Sequence, residues 1–259
     1  MKRTLIILAA IAIALTSCKK DPSDDPKTTP YDDLNPQKQS WGLCIDYTGN
    51  WCTYCGQWGD AALHNAVNVG NTVGVAVKIS PDPQAVPEAL YNSFLSDRPL
   101  NGGAPTLAAG DVTDADNNAA SYCAQLVARP CTIGIDARQE VKDGKLSVYV
   151  KTKNYEAIPN ISDYYMVAYL LEDGLHYPQQ GSSSSDPVHD FVLRQTSSGN
   201  VYYGEQLMTD GAVDAEFTHT FTFDVNAYNA NNCYAAIVIY KKTTGSVSHS
   251  YVNSHWTRK

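Results

Sequence analysis

The chain has 259 residues, with 19 Lys or Arg against 27 Asp or Glu and a formal net charge of -8. The basic residues are scattered through an acidic chain, which argues against nucleic acid as a partner, because phosphate backbones are met by clustered positive charge. No internal repeat is visible, and the length allows one large or two modest domains.

The first seventeen residues read as an export signal: Lys2 and Arg3, then an apolar run from Leu5 to Leu15, then small residues. The run is too short to span a bilayer as a permanent helix. Leu15-Thr16-Ser17-Cys18 resembles the bacterial lipobox, which implies that Cys18 becomes the acylated first residue of the mature protein. Several acyl chains, palmitate among them, make a stable membrane anchor. An ordinary signal peptide with an incidental cysteine is the competing reading. Lys19 after Cys18 resembles lipoproteins passed on to the outer membrane, and the acidic stretch Asp21 to Asp25 resembles surface-export signals of Bacteroides-type bacteria. The expectation is a lipid-anchored outer-membrane protein, with the membrane face left open. From Cys18 to about Ser40 the chain is Pro, Asp, Lys, Thr and Gln with few apolar residues, which predicts a flexible tether.

Beyond Ser40, strand-like and helix-like runs alternate as far as Pro130. Trp41 to Tyr47 reads as a buried strand, Cys52 to Val67 as a helix, Thr72 to Ile79 as a second buried strand and Pro87 to Leu95 as a second helix. A third helix is expected from about Asn118 to Val127. This alternation predicts an α/β layer over residues 41–130. After Pro130 the helical signal stops. Lys145–Lys151, Asp163–Glu172, His189–Gln195, Phe217–Val225 and Cys233–Tyr240 all read as strands. Asp143-Gly144 is a hairpin signal, because both positions tolerate positive φ. Many strands at this spacing predict a separate antiparallel β-sandwich, of immunoglobulin or jelly-roll type, over residues 131–259.

The chemistry concentrates in Asp46 to Gly56, "DYTGNWCTYCG". The close pair Cys52 and Cys55 has three readings: a working dithiol, half of a metal site, or a structural staple. A structural zinc wants a second close pair, and Cys123 and Cys131 are too far apart in sequence to supply the usual one, so no metal is assigned. A staple closing so small a loop removes little chain entropy. A cysteine at a helix N-terminus, by contrast, has its thiolate stabilised by unpaired backbone N–H groups. The strand-turn-helix context places Cys52 there, with Cys55 one turn deeper as the resolving thiol.

This stretch resembles the thioredoxin superfamily: an acid on the preceding strand, Trp51, then the cysteine pair. The resemblance implies that Cys52 is the attacking thiol, Cys55 the resolving thiol and Asp46 the buried acid that moves protons for Cys55. It also implies a cis-proline opposite the dithiol, which Ala104-Pro105-Thr106 supplies, with the Ala104 backbone pairing with a substrate chain. No cofactor is implied, and the partners are protein thiols or disulfides. Thr53-Tyr54 between the cysteines departs from the familiar dipeptides, Gly56 and Gly59 weaken the supporting helix, and Asp60 stands where many relatives carry proline.

Met166–Leu175 and Val188–Leu207 resemble the family named for a 28-kilodalton outer-membrane protein of Bacteroides-type bacteria. This resemblance implies a thioredoxin-like region joined to a β-rich region on an outer-membrane lipoprotein. It leaves two roles open: thiol–disulfide exchange, or surface binding of a protein or glycan with the front region as scaffold. Among the remaining cysteines, Cys44 reads as a core thiol, Cys123 and Cys131 are candidates to pair with each other, and Cys233 stays unassigned. Asp116 or Asn117 is expected to cap a helix. Ser182–Ser185 read as a loop and His189, Asp190 and Arg194 as ordinary polar contacts, in preference to a hydrolase site. Tyr164, Tyr165, Tyr202 and Tyr203 read mainly as strand residues with alternating burial, and secondarily as a binding surface.

Overall fold

The computed structural model describes residues 28–100 and 102–258; the export signal and Cys18 lie outside the described residues. The front half contains strands β1 (Gly42–Thr48), β2 (Thr72–Lys78) and β3 (Thr106–Ala109), and helices α1 (Asp60–Val67), α2 (Glu88–Leu95) and α3 (Ala119–Val127). The back half begins with β4 (Ile133–Lys142), β5 (Lys145–Asn154), β6 (Tyr164–Glu172), β7 (Leu175–His176) and β8 (Val188–His189). It ends with β9 (Val192–Thr196), β10 (Glu216–Asp224), β11 (Cys233–Lys242) and β12 (His249–Trp256).

Seven strands form one mixed sheet in the order β12-β11-β6-β9-β2-β1-β3. The expected boundary at Pro130 therefore does not separate two sheets. Strands from both sides of it meet where β2 runs parallel to β9, through Ala76 opposite Val192. The Ala76 N–H donates to the Phe191 carbonyl at 2.8 Å. The physical reason lies in β6 and β11, whose apolar runs are buried on both faces, as in a central strand covered on two sides.

Alternate residues of these two strands feed two cores. Val167, Tyr169, Leu171, Ala236, Val238 and Tyr240 join the core built from β1, β2 and the helices. Met166, Ala168, Leu170, Ala235, Ile237 and Ile239 pack with Leu146, Val148, Val150, Phe221 and Phe223. These last belong to a three-stranded antiparallel sheet, ordered β10-β5-β4, so a sandwich-like layer exists, but it rests on a strand pair of the large sheet. Each Val, Leu, Ile, Phe or Met side chain among these contributes about 1.5–3 kcal/mol on burial. The β4–β5 hairpin turns at Asp143-Gly144, both with positive φ (50° and 72°).

Part of the segment expected to be a tether is packed onto the fold. Residues 30–36 lie along the small sheet: Leu34 is buried, the Asn35 N–H donates to Asp136, and Arg138 donates to the Pro30 carbonyl. Leu34, the Tyr31 ring against Tyr149 and the Tyr155 hydroxyl donating to the Pro36 carbonyl seat a segment whose composition alone reads as unanchored.

Candidate dithiol site

β1 runs antiparallel to β3, with Tyr47 opposite Thr106, which brings the end of β1 beside Pro105. The turn after β1 is tied to the end of β2: the Asn50 N–H donates to Asp82 and the Trp51 indole N–H donates to the Ile79 carbonyl. Cys52 and Cys55 follow, joined as a disulfide with their Cα atoms 5.2 Å apart. The Cys55 N–H donates to Cys52 Sγ at 3.1 Å, a backbone donor that would also steady a thiolate there.

The peptide Ala104-Pro105 is cis, and the Ala104 carbonyl oxygen lies 3.2 Å from Cys52 Sγ. The Thr106 hydroxyl donates to the Gly103 carbonyl at 2.6 Å. Gly59 explains the close approach of this proline to the helix, since a Cβ there would sit 2.7 Å from Pro105 Cβ. Gly56 is equally constrained, with a Cβ 2.2 Å from the Gln180 carbonyl. The two glycines that weaken the helix are thus the ones that let two loops close on it. Residues Cys55–Gly59 form a π-helical turn before α1, and such turns accompany functional sites. Cys52 is 5% exposed, whereas Trp51 and Tyr54 beside it are 37% and 64% exposed.

Asp46, Thr48, Ala76 and Lys78 project from the same side of β1 and β2 into a cavity of about 30 Å³, room for a water molecule. Cys55 forms part of its wall, together with Gln179, Ser182 and His189. Asp46 is 1% exposed and its Oδ1 has no hydrogen-bond partner. Burial pushes its carboxyl up to about 7, against the downward pull of Lys78. Burial likewise draws the Lys78 amine below its ordinary value. Lys78 Nζ lies 3.1 Å from His189 Nδ1, and His189 Nε2 lies 3.1 Å from the Tyr177 carbonyl. A carbonyl only accepts, so Nε2 carries the proton and Nδ1 accepts from the lysine.

The cavity is roofed by the segment between β7 and β8. Gln179 Nε2 donates to the carbonyls of Gly49 and Cys52, and the Gln180 N–H donates to the Asn50 carbonyl. The serine loop, which sequence reasoning set aside, belongs to this strap. Lys78 and Gln179 were missed, and His189 was set aside as an ordinary polar contact. The signal available for Lys78 was a lone charge at the end of an apolar strand. His189 and Gln179 lie more than a hundred residues from the cysteines and gave no such signal.

The sequence-predicted site residues Asp46, Trp51, Cys52, Cys55, Ala104, Pro105 and Thr106 thus gather around one disulfide. Others do not join them. Cys123 and Cys131 are not paired; both are free thiols. Cys123 hydrogen-bonds with Cys44, which with burial holds the Cys44 thiol well above its ordinary value. Cys131 packs instead against Asn253 Nδ2, at 3.7 Å. Burial pushes Cys233 up to about 12. Asp116 does not cap a helix; its carboxylate accepts the Leu107 N–H at 3.0 Å and so fastens β3. Tyr164 and Tyr202 are buried, whereas Tyr165 and Tyr203 are half-buried and pack edge-on against each other, with Tyr203 stacked on His249 and Tyr165 edge-on to it.

Fold and site together define a mixed α/β protein with a large mixed sheet, a smaller antiparallel sheet and one closely spaced disulfide. Among solved structures, HBP35 of Porphyromonas gingivalis is similar, with a TM-score of 0.72 and 14% identity over 86% of this chain and 76% of that one. At that identity the likeness shows a shared fold. No protein-family model matches the sequence, and no curated protein does.

Proposed function

We propose that this chain is a thioredoxin-like thiol–disulfide exchange protein, held at the outer membrane by an acylated Cys18. The observation that carries the reading is Cys52 Sγ at the start of a helix, 3.2 Å from the carbonyl of a cis Ala104-Pro105 peptide. The lipid anchor and the membrane location rest on the sequence of the first twenty-five residues, and protein thiols or disulfides are the partners that fit a dithiol.

In the disulfide state, a substrate thiolate attacks Cys52 Sγ. The Cys52–Cys55 bond breaks, and Cys55 leaves as a thiolate that takes a proton from the region of Asp46. A second substrate thiolate then attacks the mixed disulfide, and Cys52 leaves. The substrate loses two electrons to become a disulfide, and the protein gains them as a dithiol. The reverse sequence reduces a substrate disulfide, with Asp46 accepting the Cys55 proton. An acid that titrates near neutrality suits both directions. Exposed Trp51 and Tyr54 flank the sulfurs and offer apolar contact to an approaching chain.

The test is reduction of insulin with dithiothreitol as electron donor. Wild type accelerates the reaction, and Cys52→Ser falls to the uncatalysed rate. Wild type no faster than that variant would remove the proposal.

A further inference from the structure

Most of the dithiol site comes from the front half of the chain, but one wall of its cavity comes from β8 and the strap before it. His189 is the buried titratable group on that wall, 4% exposed, against 3% for Lys78 and 1% for Asp46. Its ring is fixed on three sides. Tyr177 stacks on it at 3.8 Å and 8°, the Tyr177 carbonyl takes its Nε2 proton, and Nδ1 is left to accept from Lys78.

Lys78 has need of that acceptor. It lies almost wholly out of water, where an ammonium without hydrogen bonds is strongly disfavoured. Asp46, Asp60 and Asp82 act on it only through space. Asp46 in turn feels Lys78 as its attractive neighbour, with Asp60 and Asp116 opposing. His189 faces Lys78, Asp60 and Asp82, and burial with the lysine's charge keeps the imidazole neutral by lowering its affinity for a proton.

Building on the exchange reading, we infer that His189 is a positioning residue of the dithiol site. Its Nδ1 holds Lys78 charged beside Asp46, and so sets the pH at which Asp46 trades its proton with Cys55. The back half of the chain thereby tunes the chemistry of the front half without touching a sulfur.

The experiment is a titration of the Asp46 carboxyl by carbon-13 NMR in the oxidised full chain, with Asp46→Asn identifying the resonance. His189→Leu removes the acceptor, Lys78 loses charge, and the Asp46 midpoint rises by about one pH unit. His189→Asn places an amide oxygen near the Nδ1 position and keeps the wild-type midpoint. Lys78→Met raises the midpoint as His189→Leu does, and adding His189→Leu to it changes nothing further. A purely structural role for the ring predicts otherwise: an unchanged midpoint in His189→Leu, or an equal shift with and without Lys78, overturns the inference. Should His189→Leu fail to fold, His189→Gln keeps the Tyr177 contact alone and must show the same rise. The titration needs no substrate, so inactivity toward insulin would sink the exchange reading and leave this result to stand or fall separately.

Discussion

Two buried acids in this molecule sit in polar clusters of opposite character. Asp97 is surrounded by donors: the Tyr202 hydroxyl, the backbone and side chain of Ser248 and the His249 N–H all point at its carboxylate. Burial alone would push it up, but those hydrogen bonds prevail and hold it below its ordinary value. Asp46 has one oxygen with no partner at all and a small cavity beside it, and burial wins there. The same residue type is a fastener in one place and an exchangeable proton in the other. What separates them is the count of satisfied lone pairs, since a buried carboxylate short of donors is costly to keep ionised.

Adjacent to Asp97, Arg98 is fully buried and pairs with Asp111 at 2.8 Å. Its guanidinium lies 5.2 Å from the rings of both Tyr202 and Tyr240. This cluster joins α2's end to β12 and the Tyr202 loop, and it is where the fold should be most sensitive. The largest effect is therefore expected for Asp97→Ala. It strands several donors at once and should cost about 3 kcal/mol or more in denaturant unfolding; a cost under about 1 kcal/mol would erase the contrast.

Asp46→Asn should act in the opposite direction. The carboxyl of the folded protein titrates near 7 rather than at its ordinary 3.8. Between those values the unfolded chain is ionised while the folded one stays protonated, so wild-type stability falls as pH rises through that window and the full penalty holds above it. The variant should gain on the order of 2 kcal/mol at pH 8, and the gain should vanish near pH 4. Equal stability of the two proteins at both pH values would show that Asp46 is as well satisfied as Asp97. The smallest effect belongs to Tyr202→Phe, which removes a single donor from Asp97 and should cost about 1.5 kcal/mol. Its loss should fade as pH falls through the depressed Asp97 range, because protonation weakens the acceptor in wild type too.

The sequence-predicted dithiol residues come together in the structure because most of them are local in the chain. Asp46, Trp51, Cys52 and Cys55 lie within ten residues, and strand-turn-helix order fixes their relation. Pro105 was legible only through the resemblance carried by Asp46, Trp51 and the cysteine pair, which implied a cis-proline opposite the dithiol. The partition of strands was not, since strand partners are set by long-range pairing that no local periodicity encodes. The continuous apolar runs of β6 and β11 did carry a hint, for a half-buried sandwich strand such as β5 alternates and these do not. β12, with its polar Asn253, Ser254 and His255, carried no such hint. His189 was visible only as one polar residue near the start of a strand, which the structure divides into β8 and β9 at Phe191, with a positive φ of 59°.

The parallel contact of β2 with β9 makes the front half dependent on chain synthesised more than a hundred residues later. A fragment stopped at Pro130 would possess both sulfurs and the cis-proline, but β2 would become an open margin, ready to recruit strands from neighbouring molecules. Lys78 and Asp46 would meet solvent there in place of the strap. Such a fragment is a poor stand-in for the whole, and grafting this dithiol elsewhere would mean transplanting the strap and β9 along with it.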